Sequence, residues 1–241
     1  GVIENAAWKM VKLLSSMTDA DGKVLIDGFY DGIAPVSPAQ QEMMEAMEFE
    51  PEELCRLYGV DRLKFDDKLE FYRHLMFLPT LTINGLTSGY GGEGTKTIIP
   101  CHAVVKMDIR LVPGMRGKDT YEKVKRHVEK MEPSAVVSGY SVMEASCTEP
   151  SLPLVVRIRE GIKKAYNTEP VNLPLMGGSL PNYVFTDILG VPVVSVPYAN
   201  PDENNHAPNE NMKLSCYYNG IHATAQVLCE LGRPAEESGK S

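Results

Sequence analysis

Between Leu189 and Glu210 the chain reads LGVPVVSVPYANPDENNHAPNE, an apolar run that stops in a polar loop carrying one histidine. Val191, Val193, Val194, Ser195 and Val196 form a β-branched run bounded by glycine and proline. This is the pattern of a strand buried on both faces in an α/β sheet. In such sheets, ligands bind just past the carboxyl ends of the strands. His206 stands about ten residues beyond the run, among Asn204, Asn205, Asn209 and Glu210. Each of these can orient an imidazole through its second nitrogen, so a metal-ligand role is physically reasonable. The plainer reading is a solvated loop histidine.

The chain before this run divides in two. Ala7, Met10, Val11, Leu14 and Met17 recur at helical spacing within Glu4 to Met17, and this amphipathic helix needs a sheet to cover it. Residues 37–76 are charged and helix-leaning, with Ser37-Pro38 and Glu50-Pro51 as helix starts, and read as a solvated helical insertion. Thr80 to Asn84 alternates like a half-buried strand, and a glycine loop then turns the chain into strand-like Thr97 to Pro100. From Val105 to Leu111, Val105, Met107, Ile109 and Leu111 share one face, while Lys106, Asp108 and Arg110 share the other. Arg110 therefore projects from a rigid element. A helix with Tyr121, Val124, Val128 and Met131 on its apolar stripe comes next, then a strand near Ala135 to Glu144. The order helix, strand, strand, helix, strand is a ferredoxin-like split βαβ layer without its opening strand.

After Cys147, helix and buried strand alternate. Val155, Ile158, Ile162 and Ala165 mark a helix, Asn172 to Leu175 a short strand, and Tyr217, Ile221, Ala225 and Leu228 a last helix. In the turn Gly177-Gly178-Ser179-Leu180-Pro181, Ser179 suits a helix N-cap and Pro181 its first turn. Such a turn offers backbone N–H groups to an anion or a polarised carbonyl. The expected regions are residues 1–145, 146–232 and a loose tail over 233–241.

Composition narrows the partners. The chain has 24 basic and 32 acidic residues, a formal charge of -8, and no lysine or arginine cluster, which argues against nucleic acid. No apolar run approaches a membrane span. Five widely spaced cysteines without a CxxC pair point to a reducing, cytoplasmic setting rather than a disulfide framework. The glycine loop Gly89 to Gly94 is not a nucleotide loop, because Thr95 separates Gly94 from Lys96 and spoils the spacing.

GYGGEGTKTIIP with MDIRLVP, then LMGGSLP, then the strand ending in NNHAPNE, in this order, resemble the M20 family of zinc metallopeptidases, in particular its dipeptidase branch. The segment NAAWKMVKLLSSMTDADGKVLIDG is similar to the stretch after the first strand of that branch's lid. The resemblance implies an α+β lid domain, which also dimerises, followed by the C-terminal part of an α/β catalytic domain with two metal ions. It implies that His206 is a zinc ligand, that Arg110 grips a substrate carboxylate, and that Thr97 faces the substrate. It further implies that Gly178 and Ser179 line the substrate pocket, with Asn84 a looser lid contact. A guanidinium on a rigid strand suits bidentate carboxylate recognition in a way an ammonium does not.

The departures are equally specific. The family's HxD motif, bridging aspartate, glutamate pair with the general base, and the lid histidine expected just upstream of Gly1 are absent. So is a histidine near Ser141, and Met176 precedes the GGS turn where relatives carry an acid. The chain is thus expected to be part of a hydrolase of dipeptides or N-acyl amino acids, inactive alone, a homodimer through the lid and a partner of a missing N-terminal part. Two other readings stand beside it. One is a non-catalytic dimerisation or binding module. The other is a serine hydrolase using Ser179, Asp202 and His206, which lacks the trailing glycine of a nucleophile elbow.

Overall fold

The computed structural model describes residues 1–139 and 141–234. In chain order these form α1 (Ala6–Met17), α2 (Pro38–Ala46), α3 (Pro51–Tyr58), α4 (Lys68–Phe77), β1 (Thr80–Ser88), β2 (Ala103–Arg110) and α5 (Gly117–Met131). Then come α6 (Pro153–Tyr166), one π-helical turn (Val184–Ile188) and α7 (Leu214–Gly232). Helix and strand are mixed as expected, and α1, β1, β2 and α5 occur in the expected order of the layer.

The Asn5 side chain starts α1 by accepting hydrogen bonds from the Ala7 and Trp8 N–H groups, satisfying two of the donors a helix start leaves free. Its apolar stripe brings Leu13 and Met17 into a core with Val24, Ile26, Phe29 and Val128. Met107 and Ile109 of β2 and Val124 of α5 pack on that core, as the period of two in the strand and the helical spacing require. Phe29 is 1% exposed, and burying a side chain of that size contributes about 1.5–3 kcal/mol. The chain crosses itself where β2 hands over to α5. There the Ala34 N–H donates to the Pro113 carbonyl at 2.8 Å. Gly114 has φ +93°, and a Cβ on it would overlap the Gly32 carbonyl oxygen. Only glycine fits such a crossing.

Residues 37–77 correct the reading of a merely solvated insertion. A Ser37/Gln40 capping box opens α2 and Asp67 caps α4. Between them Met44, Tyr72, Met76 and Phe77 are buried as a second core, with Phe49, Phe71 and, from far along the chain, Leu175 against it. Only α3 has no buried residue.

In the C-terminal region α6 and α7 pack at Gly161, where a Cβ would meet the Val227 Cα at 2.7 Å. The Arg157 guanidinium closes the end of α7 by donating to the Leu231, Arg233 and Pro234 carbonyls. The buried face of α7 carries Gly220, Ala223 and Glu230. The stripe expected to be buried, Tyr217, Ile221 and Leu228, faces outward instead. Tyr198 lies against Gly220, where an added Cβ would meet its ring at 2.9 Å, and among the described residues the large side chains of the stripe stay exposed.

Four expected strands lack a ladder among the described residues, where β1 and β2 form the sheet. Thr97 to Ile99 lies in an exposed loop, and Asn172 to Leu175 is irregular. Ala135 to Glu144 is unpaired over its described residues, Tyr140 lying outside them. Val191 to Val196 is likewise unpaired. One side chain stands in for a neighbouring strand: the Thr148 hydroxyl donates to the Val193 carbonyl and accepts from its N–H, at 2.7 and 3.0 Å. A strand buried on both faces needs partners on both edges, and none adjoins this run among the described residues. The expected tail is described only through Pro234; residues 235–241 lie outside the described residues.

Candidate functional site

Arg110 ends β2, where it is the register partner of Thr80 at the start of β1. Its Nε lies 3.4 Å from the Asp108 carboxylate on the same face of the strand. Its Nη1 donates to the Ser179 hydroxyl at 2.5 Å, across 69 residues of sequence. Two of the residues singled out in the sequence are therefore brought together. Ser179 is not the cap of a helix, as its sequence context suggests. The next helical turn begins only at Val184, and the hydroxyl is occupied by Arg110. Beside it, a Cβ on Gly178 would meet nothing within 4 Å, so the backbone there is open to a ligand. The exposed guanidinium and hydroxyl together offer donors of the kind a carboxylate takes.

A second charged contact joins the same two regions. Arg116, at the start of α5, places Nη1 2.5 Å from Oδ2 of Asp187. This contact holds the Asp187 carboxyl below the usual carboxylate range, helped by the Thr186 hydroxyl, and raises Arg116. The Gly117 N–H donates to Glu144 at 3.0 Å. Sequence reasoning misses these residues. A signal exists: a basic residue at a helix start opposes the dipole and wants an acid from elsewhere.

Asn84 is the extra residue of a β-bulge, since Ile83 pairs with Met107 and Gly85 with Lys106. Bulges re-aim side chains near sites, and Asn84 is exposed. Thr97 is not brought to Arg110. It lies in the loop beyond the Ser88 and Ala103 end of the hairpin, and the seven steps of β2 from there to Arg110 span roughly 23 Å.

His206 is exposed in a loop with unusual backbone: φ is 55° at Asn204, 61° at His206 and 65° at Asn209. Left-handed backbone at non-glycine residues costs about 1–2 kcal/mol each and persists only where surroundings enforce it. The loop's base does so. Buried Asn200 donates to Asp202 at 2.8 Å and accepts from the Lys213 N–H at 2.9 Å. The Lys213 ammonium meets Asp202 at 2.8 Å. With Lys213 first and Asn200 second, these contacts pull the Asp202 carboxyl down to about 2. Among the described residues no hydrogen bond reaches the imidazole, so the expectation that Asn204, Asn205, Asn209 and Glu210 orient it is corrected. They shape the loop instead, the Asn204 carbonyl accepting from Ala207. Nor do Ser179, Asp202 and His206 assemble a triad: the first is held by Arg110 and the second by Lys213.

A zinc ion takes about four ligands. Among the described residues no group of three or more His, Cys, Asp or Glu side chains is placed to hold a metal. His206 by itself does not fit a resident ion.

Residues 1–136 match the peptidase dimerisation domain of the M20 peptidases. Over 97% of the chain it is 27% identical to the Cys-Gly metallodipeptidase DUG1 of Candida albicans and 28% identical to the human Beta-Ala-His dipeptidase. It covers 49% and 47% of those proteins. The chain thus spans about half the length of the curated relatives it matches, of which the first is a metallodipeptidase and the second a dipeptidase. Among solved structures, an M20 family metallo-carboxypeptidase from Sulfolobus solfataricus aligns with TM-score 0.90 and 31% identity, over 94% of this chain and 52% of that one. Human carnosine dipeptidase 1 aligns with TM-score 0.75 and 26% identity, over 96% and 50%. By the match over more than half its length, this chain belongs to the M20 peptidase family, whose dimerisation domain it carries in residues 1–136.

Proposed function

We propose that this chain is the lid (residues 1–145) and the C-terminal part of the catalytic domain (residues 146–232) of a zinc-dependent hydrolase that cleaves dipeptides or N-acyl amino acids. In this reading Arg110 and Ser179 bind the substrate's free carboxylate, with the Gly178 backbone beside them and Asn84 at the rim. His206 is one ligand of a two-zinc site whose other ligands and general base come from an N-terminal part. The 241-residue chain alone hydrolyses no dipeptide. The observation that carries the reading is the Arg110 to Ser179 hydrogen bond, which joins two groups of carboxylate-binding chemistry from distant stretches.

Thr97 stands some 20 Å from Arg110 along the hairpin, or about seven residues of strand rise. If both touch one substrate, Thr97 comes from a second copy, which supports a homodimer through the lid. Five free cysteines support a reducing, cytoplasmic setting. No described helix is long and apolar enough to cross a membrane.

The test is Arg110→Ala in the polypeptide that carries the complete metal site. Removing a charge-assisted contact to a bound carboxylate costs about 2–4 kcal/mol, or roughly 30- to 1000-fold in kcat/KM. Lysine restores only part of this. A C-terminally amidated dipeptide is a poor substrate for the wild type, and Arg110→Ala barely worsens it, because both changes delete one interaction. An unchanged ratio of free-acid to amide turnover in the mutant would end the assignment. It would leave Arg110 as a structural partner of Asp108.

A further inference from the structure

We infer that the helical insertion α2–α4 is a positioning element that sets the spacing between Arg110 and Ser179; this rests on the carboxylate-binding reading of that pair. The insertion touches both sides of the contact through one helix end. On one side, the Leu175 side chain packs onto the core formed by Met44, Tyr72, Met76 and Phe77. Two residues on, Gly177 approaches the carbonyl of Leu75, to which an added Cβ would stand at 3.6 Å. Ser179 comes after two more residues. On the other side, α4 ends at Phe77, and Thr80 opens β1 as the register partner of Arg110. The last turn of α4 is therefore within a few covalent steps of Arg110's ladder partner and in contact with the stem of the Ser179 turn.

The same stem is tied again at its start. Cys147 lies 3.5 Å from the buried Gln40 side chain of α2 and 4.0 Å from the Pro174 carbonyl. Packed cores transmit strain because they hold few voids. A cavity under Leu175 would let the turn drift relative to β2, and a carboxylate fork tolerates misplacement of well under about 1 Å. Leu175 and Leu75 touch no substrate; they act through Ser179.

The experiment monitors the Arg110 Nε–H resonance in the 15N-labelled 241-residue chain, assigned by its loss in Arg110→Lys. In Leu175→Ala this resonance moves toward that of a free arginine. In the volume-conserving Leu175→Met it stays in place. It also stays in place in Leu57→Ala, on the exposed face of α3. Titration with glycylglycine then reads function, with a severalfold loss of affinity in Leu175→Ala and none in Leu175→Met. If Leu175→Ala fails to fold, Leu75→Ala carries the same prediction, since Leu75 is half exposed and its Cδ1, which the substitution removes, stands 3.9 Å from where a Cβ on Gly177 would be. A folded Leu175→Ala or Leu75→Ala with an unmoved Arg110 resonance overturns the inference. Movement of the resonance without any response to glycylglycine in the wild type upholds the positioning role and sinks the carboxylate reading instead, so the two fail separately.

Discussion

Phe29 in the N-terminal region is 1% exposed, whereas Leu228 on α7 in the C-terminal region is 63% exposed, with Leu214 at 73% and Ile188 at 69%. Both regions are built from amphipathic segments, but only the first closes on itself. Its core draws on α1, the 24–29 turn, β2 and α5, elements that cover each other within about 130 residues of chain. In the second, α6 packs against α7 at Gly161, and a broad apolar face is left toward solvent among the described residues. Patches of that kind mark surfaces that another chain or segment covers. Under the proposed reading the cover is the remaining half of the catalytic domain, and the relatives' doubled length agrees with it.

This contrast can be broken most sharply by truncating large side chains. Phe29→Ala leaves a cavity in a closed core and is expected to cost about 3–5 kcal/mol, read as a lower urea midpoint at constant slope. Leu228→Ala is expected to stay within about 0.5 kcal/mol. Equal losses would mean that α7 is covered in solution. A smaller effect is expected from Gly161→Ala, which drives a methyl into the Val227 backbone and costs about 1–3 kcal/mol as overpacking. It should lower the protection of α6 and α7 amides against hydrogen exchange and leave α1 and α5 untouched.

Legibility in the sequence divides along the same line. Helical stripes and the alternation of β2 are readable because they depend on period alone, and Arg110 stands out because it ends a clean alternation. The run Val191 to Val196 carries the composition of a strand, but a ladder is a property of two segments, and here the run's hydrogen bonds go to the Thr148 hydroxyl and, from the Val191 N–H, to the Phe185 carbonyl. The face of α7 is misread for a related reason. Periodicity says which residues want cover, whereas the close approach of Gly161 to Val227 decides how α6 and α7 sit and that of Tyr198 to Gly220 decides what else lies on α7. The insertion's core escapes a local reading because Leu175 joins it from about a hundred residues away.

The smallest effect expected is local and pH-dependent. Asp202 titrates near 2 in the folded loop against an ordinary 3.8. Its contribution is therefore complete above about pH 4 and lost as pH falls toward about 2. Backbone shifts of Asn211 and Lys213 should report this titration, and Asp202→Asn should abolish it while leaving the N-terminal region's spectrum unchanged. A midpoint near the ordinary carboxylate value, about 4, would show that Lys213 and Asn200 do not hold the loop.

Whether the Arg110 to Ser179 contact serves as a carboxylate fork, as proposed, is read by titrating the wild-type chain with glycylglycine and with its amide while observing Arg110 Nε–H. The half-exposed guanidinium predicts weak binding, about millimolar, of the free acid, no response to the amide, and loss of the free-acid response in Ser179→Ala. Equal responses to acid and amide, or an unaltered response in Ser179→Ala, would contradict it.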